Sequence, residues 1–141
     1  MKRADPDSLL RAADEAARKA YAPYSGFRVG AALVTETGAV LTGCNVENAS
    51  YPVGGCAERH AIAAAVAAEG PGMRIAAVAI LALDPVGEPI ACAPCGACRQ
   101  AIVEFGSDAE VIFRSKDDTV RVPASQLLPG AFAFDPQVLK P

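Results

Sequence analysis

Two short cysteine motifs, Cys56-Ala57-Glu58-Arg59-His60 and Pro94-Cys95-Gly96-Ala97-Cys98, constrain this chain more than any other feature. The second sets two thiolates at a three-residue spacing, which lets one ion sit between them when the pair opens a helix. The first adds a third thiolate and, two positions later, a carboxylate poorly placed to be a ligand. Three soft anionic ligands, Cys56, Cys95 and Cys98, describe a zinc ion with an open fourth position, a site that activates water. A fold that uses both motifs must bring residues 56 and 95 together across the intervening chain.

Other readings of the cysteines compete with this one. Cys95-x-x-Cys98 alone also describes a redox dithiol or half of a structural zinc knot, the lesser readings of this motif. A redox pair has no use for Cys56-x-Glu58. A structural site takes a fourth protein ligand, for which His60 and Cys92 are the candidates, and Cys92-x-x-Cys95-x-x-Cys98 admits an alternative register. Cys56 and Cys95 are expected to open helices, where free N–H groups and the helix dipole lower thiol pKa values. Arg59 and Arg99 adjoin the cluster in sequence and offset the negative charge that three thiolates leave on a divalent ion. Within a continuous helix Glu58 points about 200° around the axis from Cys56. With Cys56 outside the helix it leans over the open position and can move a proton. Cys44, at a strand end, reads as a buried thiol acting as a small hydrophobe.

Composition limits what such a site acts on. The 141 residues fit one domain, 1–141, and at 52% hydrophobic and 21% charged nothing points to disorder. A net charge of −3 and a pI near 5.1 leave no basic footprint for nucleic acid, so the expected substrate is a small molecule. The polar start Met1-Lys2-Arg3-Ala4 has no signal-peptide character, and no apolar run is long enough to span a bilayer. With five cysteines, an odd number, thiols or metal ligands are expected rather than a disulfide framework, and the cytoplasm is the expected compartment.

Residues from Ser8 to Ala20 carry apolar positions at helical spacing, ending before Pro23. Tyr21-Ala22-Pro23-Tyr24-Ser25-Gly26-Phe27 is a loop unusually rich in aromatics. Val29 to Thr35 and Ala39 to Asn45 read as a hairpin about Glu36-Thr37-Gly38. A polar loop follows, then an alanine-rich helix from Cys56 to Glu69 stopped by Gly70-Pro71-Gly72. Ile75 to Leu83 is apolar throughout, as a central strand covered on both faces requires. Asp84 to Pro89 reads as loop, Cys95 to Phe105 as helix, Glu110 to Arg114 as strand, Thr119 to Val122 as an edge strand, and Ser125 to Leu128 as at most a short helix. This order describes an α/β domain, a sheet with helices on both faces.

The x-Glu after a first ligand followed by Pro-Cys-x-x-Cys is the signature of zinc nucleobase deaminases, here in its three-cysteine form. Beyond it, the chain closely resembles the small homotetrameric cytidine deaminases. The resemblance rests on Tyr21 to Phe27, Val29-Gly30-Ala31-Ala32-Leu33, Gly43-Cys44-Asn45-Val46-Glu47-Asn48-Ala49-Ser50-Tyr51, Cys56 to Arg59, Pro94 to Gln100 and Leu127-Leu128-Pro129. It implies a three-layer α/β/α sandwich around a mixed, roughly five-stranded sheet. It implies one zinc per subunit on Cys56, Cys95 and Cys98, with Glu58 as proton shuttle and Arg59 balancing charge. It also implies that Asn45 and Glu47 hold the ribose, that Phe27 lies against the pyrimidine, that Ala57 borders the base edge, and that Phe132 reaches a neighbouring subunit's pocket. The implied reaction is hydrolytic deamination of cytidine and deoxycytidine in pyrimidine salvage, by a homotetramer without nucleic-acid or membrane partners. The Asn45 to Tyr51 run fits these enzymes better than aminonucleoside antibiotic deaminases of the blasticidin type.

Overall fold

The computed structural model describes residues 5–134; the polar start Met1 to Ala4 lies outside them. Helix α1 (Pro6–Ala17) precedes the hairpin β1 (Arg28–Thr35) and β2 (Val40–Cys44), then helix α2 (Ala57–Glu69) and strand β3 (Ile75–Leu83). Short β4 (Pro89–Ile90), helix α3 (Gly96–Phe105), β5 (Glu110–Arg114), β6 (Thr119–Pro123) and the short helix α4 (Ala124–Leu127) complete the order. The sheet runs β2-β1-β3-β5-β6, and β4 pairs with the end of β3 beside β5. The expected five strands become six because Pro89–Ile90, at the end of the stretch read as loop, adds two rungs at Ala82 and Leu83. A 3-10 turn at Tyr51–Val53 also carries no signal in the apolar pattern.

β3 pairs antiparallel with β1 and parallel with β5. β2 is antiparallel to β1 and therefore parallel to β3. Helices α2 and α3 are the crossovers of these parallel strands, so both begin at the same end of the sheet. That end is where the C-termini of parallel strands place ligands in α/β folds.

The uniform apolarity of β3 follows from its two covered faces. Val78, Ile80 and Ala82 join Ala57, Ala61, Ala65 and Ile102 on one side of the sheet. Ala79, Leu81 and Leu83 join Leu9, Ala13 and Ala17 of α1 on the other. Three layers result, α1 over one face and α2 with α3 over the other. The buried alanines of α2, Ala57, Ala61 and Ala65, thus serve its own sheet.

Two glycines let the helices come this close. A Cβ on Gly43 would lie 2.5 Å from the Ala61 nitrogen and 2.6 Å from the Ala57 oxygen. On Gly30 it would lie 1.9 Å from the Ala13 carbonyl oxygen, on the α1 face. Neither backbone can yield without the helix moving. Gly30→Ala is expected to cost about 3 kcal/mol of unfolding free energy or more, read as a lower urea midpoint at unchanged slope.

Candidate active site

Cys56 and Cys95 are each the residue before a helix, in extended conformation (φ −80°, ψ 153° and φ −68°, ψ 169°). Cys98 lies in the first turn of α3 and is 1% exposed. The sulfurs of Cys56, Cys95 and Cys98 lie within 4.8 Å of one another. Tetrahedral ligands 2.3 Å from zinc are about 3.8 Å apart, so the cradle needs only a small contraction. Cys92 and His60 stand outside this set. The Cys92 amide donates to the Arg114 carbonyl at 3.0 Å, continuing the β4 line past β5, and its sulfur faces the Ala93 carbonyl at 3.7 Å.

The electrostatics of this donor set call for a cation. The Cys98 amide, helped by the Cys98 thiol and the Ala97 amide, holds Cys95 below the usual thiol value against the effect of burial. Burial first, then the charges of Glu58 and Cys56, push Cys98 strongly up. Three thiolates and a carboxylate gathered this closely cannot all ionise without a positive partner. Arg59 supplies part of it: its Nη2 is 3.7 Å from Cys56 Sγ, and that contact raises its pKa. Arg99 does not. Its guanidinium is spent on the carbonyls of Pro94 at 2.8 Å and Leu127 at 3.0 Å, where it braces α4 instead. The residues present therefore fit zinc.

Cys92 follows a different course, with burial raising its pKa to about 11 and Glu58, Cys95 and Cys56 adding to the effect. In metal-free protein at pH 7, iodoacetamide is expected to alkylate Cys95 at least about tenfold faster than Cys92, as peptide mapping would show.

A cavity of about 550 Å³ opens beside Cys56 and Cys95, a volume suited to a small molecule. Phe27, Asn45, Glu47, Ala57 and Glu58 all line it. Glu58 is only 4% exposed. Because Cys56 is extended, Glu58 starts the helix on the same side and borders the same cavity.

Asn45 and Glu47 carry structural work as well. Asn45 Oδ1 accepts from the Val29 amide at 2.8 Å and its Nδ2 donates to the Phe27 carbonyl at 2.9 Å. Glu47 accepts from the Tyr24 and Ser25 amides at 3.0 and 3.1 Å and from Ser25 Oγ. The Ser25 hydroxyl is the chief reason the Glu47 pKa is lowered, so the carboxylate stays charged into mild acid. Ser25 Oγ in turn accepts from the Phe27 amide at 3.0 Å. Sequence reasoning missed Ser25; the aromatic density of its loop was the available signal. Tyr24 and Tyr51 meet edge to face at the cavity, with centroids 6.3 Å apart. Phe132 does not line this cavity: it is 75% exposed, stacked beside Phe134, with its carbonyl held by Gln100. Cys44 is half-buried rather than fully buried.

A three-layer α/β domain that aims two helix N-termini at three cysteines, with a buried carboxylate alongside, has the chemistry of a zinc-dependent hydrolase. Residues 4–115 match the family described as cytidine and deoxycytidylate deaminase zinc-binding region. A cytidine deaminase of Sporosarcina psychrophila is 41% identical over 131 residues, 92% of either chain. Crystal structures of cytidine deaminases from Burkholderia pseudomallei (47% identity, TM-score 0.79) and Mycobacterium tuberculosis (37%, TM-score 0.80) each cover 94% of this chain and 100% of their own. The chain belongs to the cytidine and deoxycytidylate deaminase family, and it is a zinc-dependent deaminase. No helix among the described residues is long and apolar enough to cross a membrane.

Proposed function

We propose that this enzyme hydrolyses cytidine and deoxycytidine to uridine and deoxyuridine with release of ammonia, and that Glu58 is its proton shuttle. The observation that carries this reading is Glu58, buried at 4% exposure yet lining the same cavity as Cys56 and Cys95 of the sulfur cluster. Cys56, Cys95 and Cys98 would hold the zinc, which when bound would supply Lewis-acid activation of a water molecule. Glu58 takes one proton from the attacking water and delivers it to ring nitrogen N3, which makes C4 electrophilic. The water oxygen adds to C4. Glu58 then carries the remaining hydroxyl proton to the C4 amine, the C–N bond breaks, and ammonia departs as the C4 carbonyl forms.

The other roles rest on the same cavity. Phe27 offers the pyrimidine a ring face, and Ala57, fully buried, borders the base edge. Asn45 and Glu47 keep free lone pairs and one amide hydrogen for the sugar hydroxyls beside the bonds they already make. Arg59 balances the thiolate charge. The cavity lining holds no lysine or arginine, which favours a nucleoside over a nucleic acid. Phe132, exposed and off its own cavity, supports a homotetramer in which it completes another subunit's pocket. A thiolate site of this kind persists in a reducing compartment, which supports a cytoplasmic setting.

The test is to follow the ultraviolet change of cytidine, deoxycytidine, cytosine and blasticidin S with zinc-loaded protein, with and without chelator. The two nucleosides are expected to react and the chelator to stop them. Zinc-replete protein that releases no ammonia from cytidine would sink the assignment. A concentration-independent monomer by light scattering would overturn the tetramer and the role of Phe132.

A further inference from the structure

The lone histidine has no place in the mechanism, yet it closes a circuit around the site. His60 Nδ1 lies 2.7 Å from the Cys44 carbonyl oxygen. A carbonyl only accepts, so Nδ1 carries the hydrogen. The same ring presses onto Gly55: a Cβ built there would meet Nε2 at 2.2 Å and Cε1 at 2.6 Å. Gly55 exchanges two hydrogen bonds with Val46, at 3.0 and 3.1 Å. Val46 stands between Asn45 and Glu47, and Gly55 immediately precedes Cys56. The stretch 45–47 is held on its other side by Tyr21, whose amide donates to the Asn45 carbonyl at 3.1 Å and whose carbonyl accepts from the Glu47 amide at 2.8 Å.

One imidazole on the first turns of α2 thus ties the end of β2 to the turn that delivers Cys56. We propose that His60 is a positioning residue that sets the spacing between the sugar-facing stretch Asn45–Glu47 and the metal-facing pair Cys56 and Glu58. It does not line the cavity, so it acts through Cys44 and Gly55 rather than on a substrate atom. The alternative, a side chain that merely fills space on α2, has no need of a carbonyl partner at 2.7 Å or of a glycine beneath the ring. The proposal rests on the nucleoside reading above for its functional consequence; its geometry stands independently of that reading.

The two are separable by experiment. His60→Leu fills the ring's space without a donor, whereas His60→Asn keeps an N–H at the position of Nδ1. In His60→Leu, amide hydrogen exchange at Val46 and Gly55 is expected to quicken while α1 amides stay unchanged and zinc content stays at the wild-type level. Uridine binding by calorimetry and the KM for cytidine are expected to weaken by about fivefold to tenfold, the worth of one hydrogen bond, with kcat within about threefold. His60→Asn is expected to restore most of the loss. Unchanged exchange at Val46 and Gly55 in His60→Leu overturns the clamp. So does a uniform loss of zinc, kcat and melting temperature that Asn does not rescue. Faster exchange at those two amides in a protein whose wild type binds no uridine supports the clamp and overturns the nucleoside reading instead.

Discussion

Glu58→Ala is expected to retain zinc and fold while losing about ten-thousand-fold in kcat for cytidine, the upper range for a general acid–base group. In the proposed mechanism the carboxylate moves both protons that the reaction needs to relocate, so its removal is expected to block every later step. Metal retention follows from the same electrostatics. The charge on Glu58 opposes ionisation of Cys98, and removing it lets the thiols bind the ion at least as well. Glu58→Gln separates shape from chemistry, since it keeps the side-chain volume beside Ala57 and removes the base. Its zinc content by emission spectrometry and its uridine affinity are expected to match wild type within about threefold, with kcat as low as in the alanine variant. Turnover within tenfold of wild type in either variant would refute the role given to Glu58.

Cys98→Ala carries the second large effect. Cys98 is the most buried of the three clustered cysteines at 1% exposure, and its removal leaves two of the proposed ligands and a small cavity under α3. Zinc per chain is expected to fall from about one to below about a tenth after dialysis, and activity with it. Chelator is expected to lower the melting temperature of the wild type, because the ion binds only the folded state, and to leave that of Cys98→Ala unchanged. Cys92→Ala is the control, expected to keep its zinc, since Cys92 lies outside the sulfur cluster. Loss of zinc in Cys92→Ala with retention in a Cys56→Ala variant would restore the alternative register of the three C-terminal cysteines.

Most of the regular structure is legible in the apolar pattern. β3 and β5 fall on the expected residues, and α2 and α3 begin one residue after the cysteine expected to open each. Those elements bury whole faces, and burial is what periodicity reports. The Pro89–Ile90 strand and the Tyr51–Val53 turn escape because two or three residues held by backbone bonds have no period. The hydrogen-bond partners of the site escape for a related reason. Nothing in the order of residues pairs Ser25 with Glu47, or His60 with the carbonyl of Cys44, since both pairs form only after the hairpin and α2 have docked. Arg99 shows the converse error: proximity in sequence to Cys98 suggested a charge partner, but side-chain reach sends it to Leu127.

The two cysteine motifs, with their spacing and residue types, by themselves narrow the chain to a thiolate metal site or a redox dithiol with a carboxylate close by in sequence, because ligand chemistry depends on which atoms are present. Which three of the five cysteines meet, and that Glu58 faces their cavity instead of turning away on its helix, only the tertiary structure decides. The parallel strands β2, β3 and β5 start α2 and α3 at one end of the sheet, and Gly43 lets α2 settle close enough for Cys56 to reach the pair on α3.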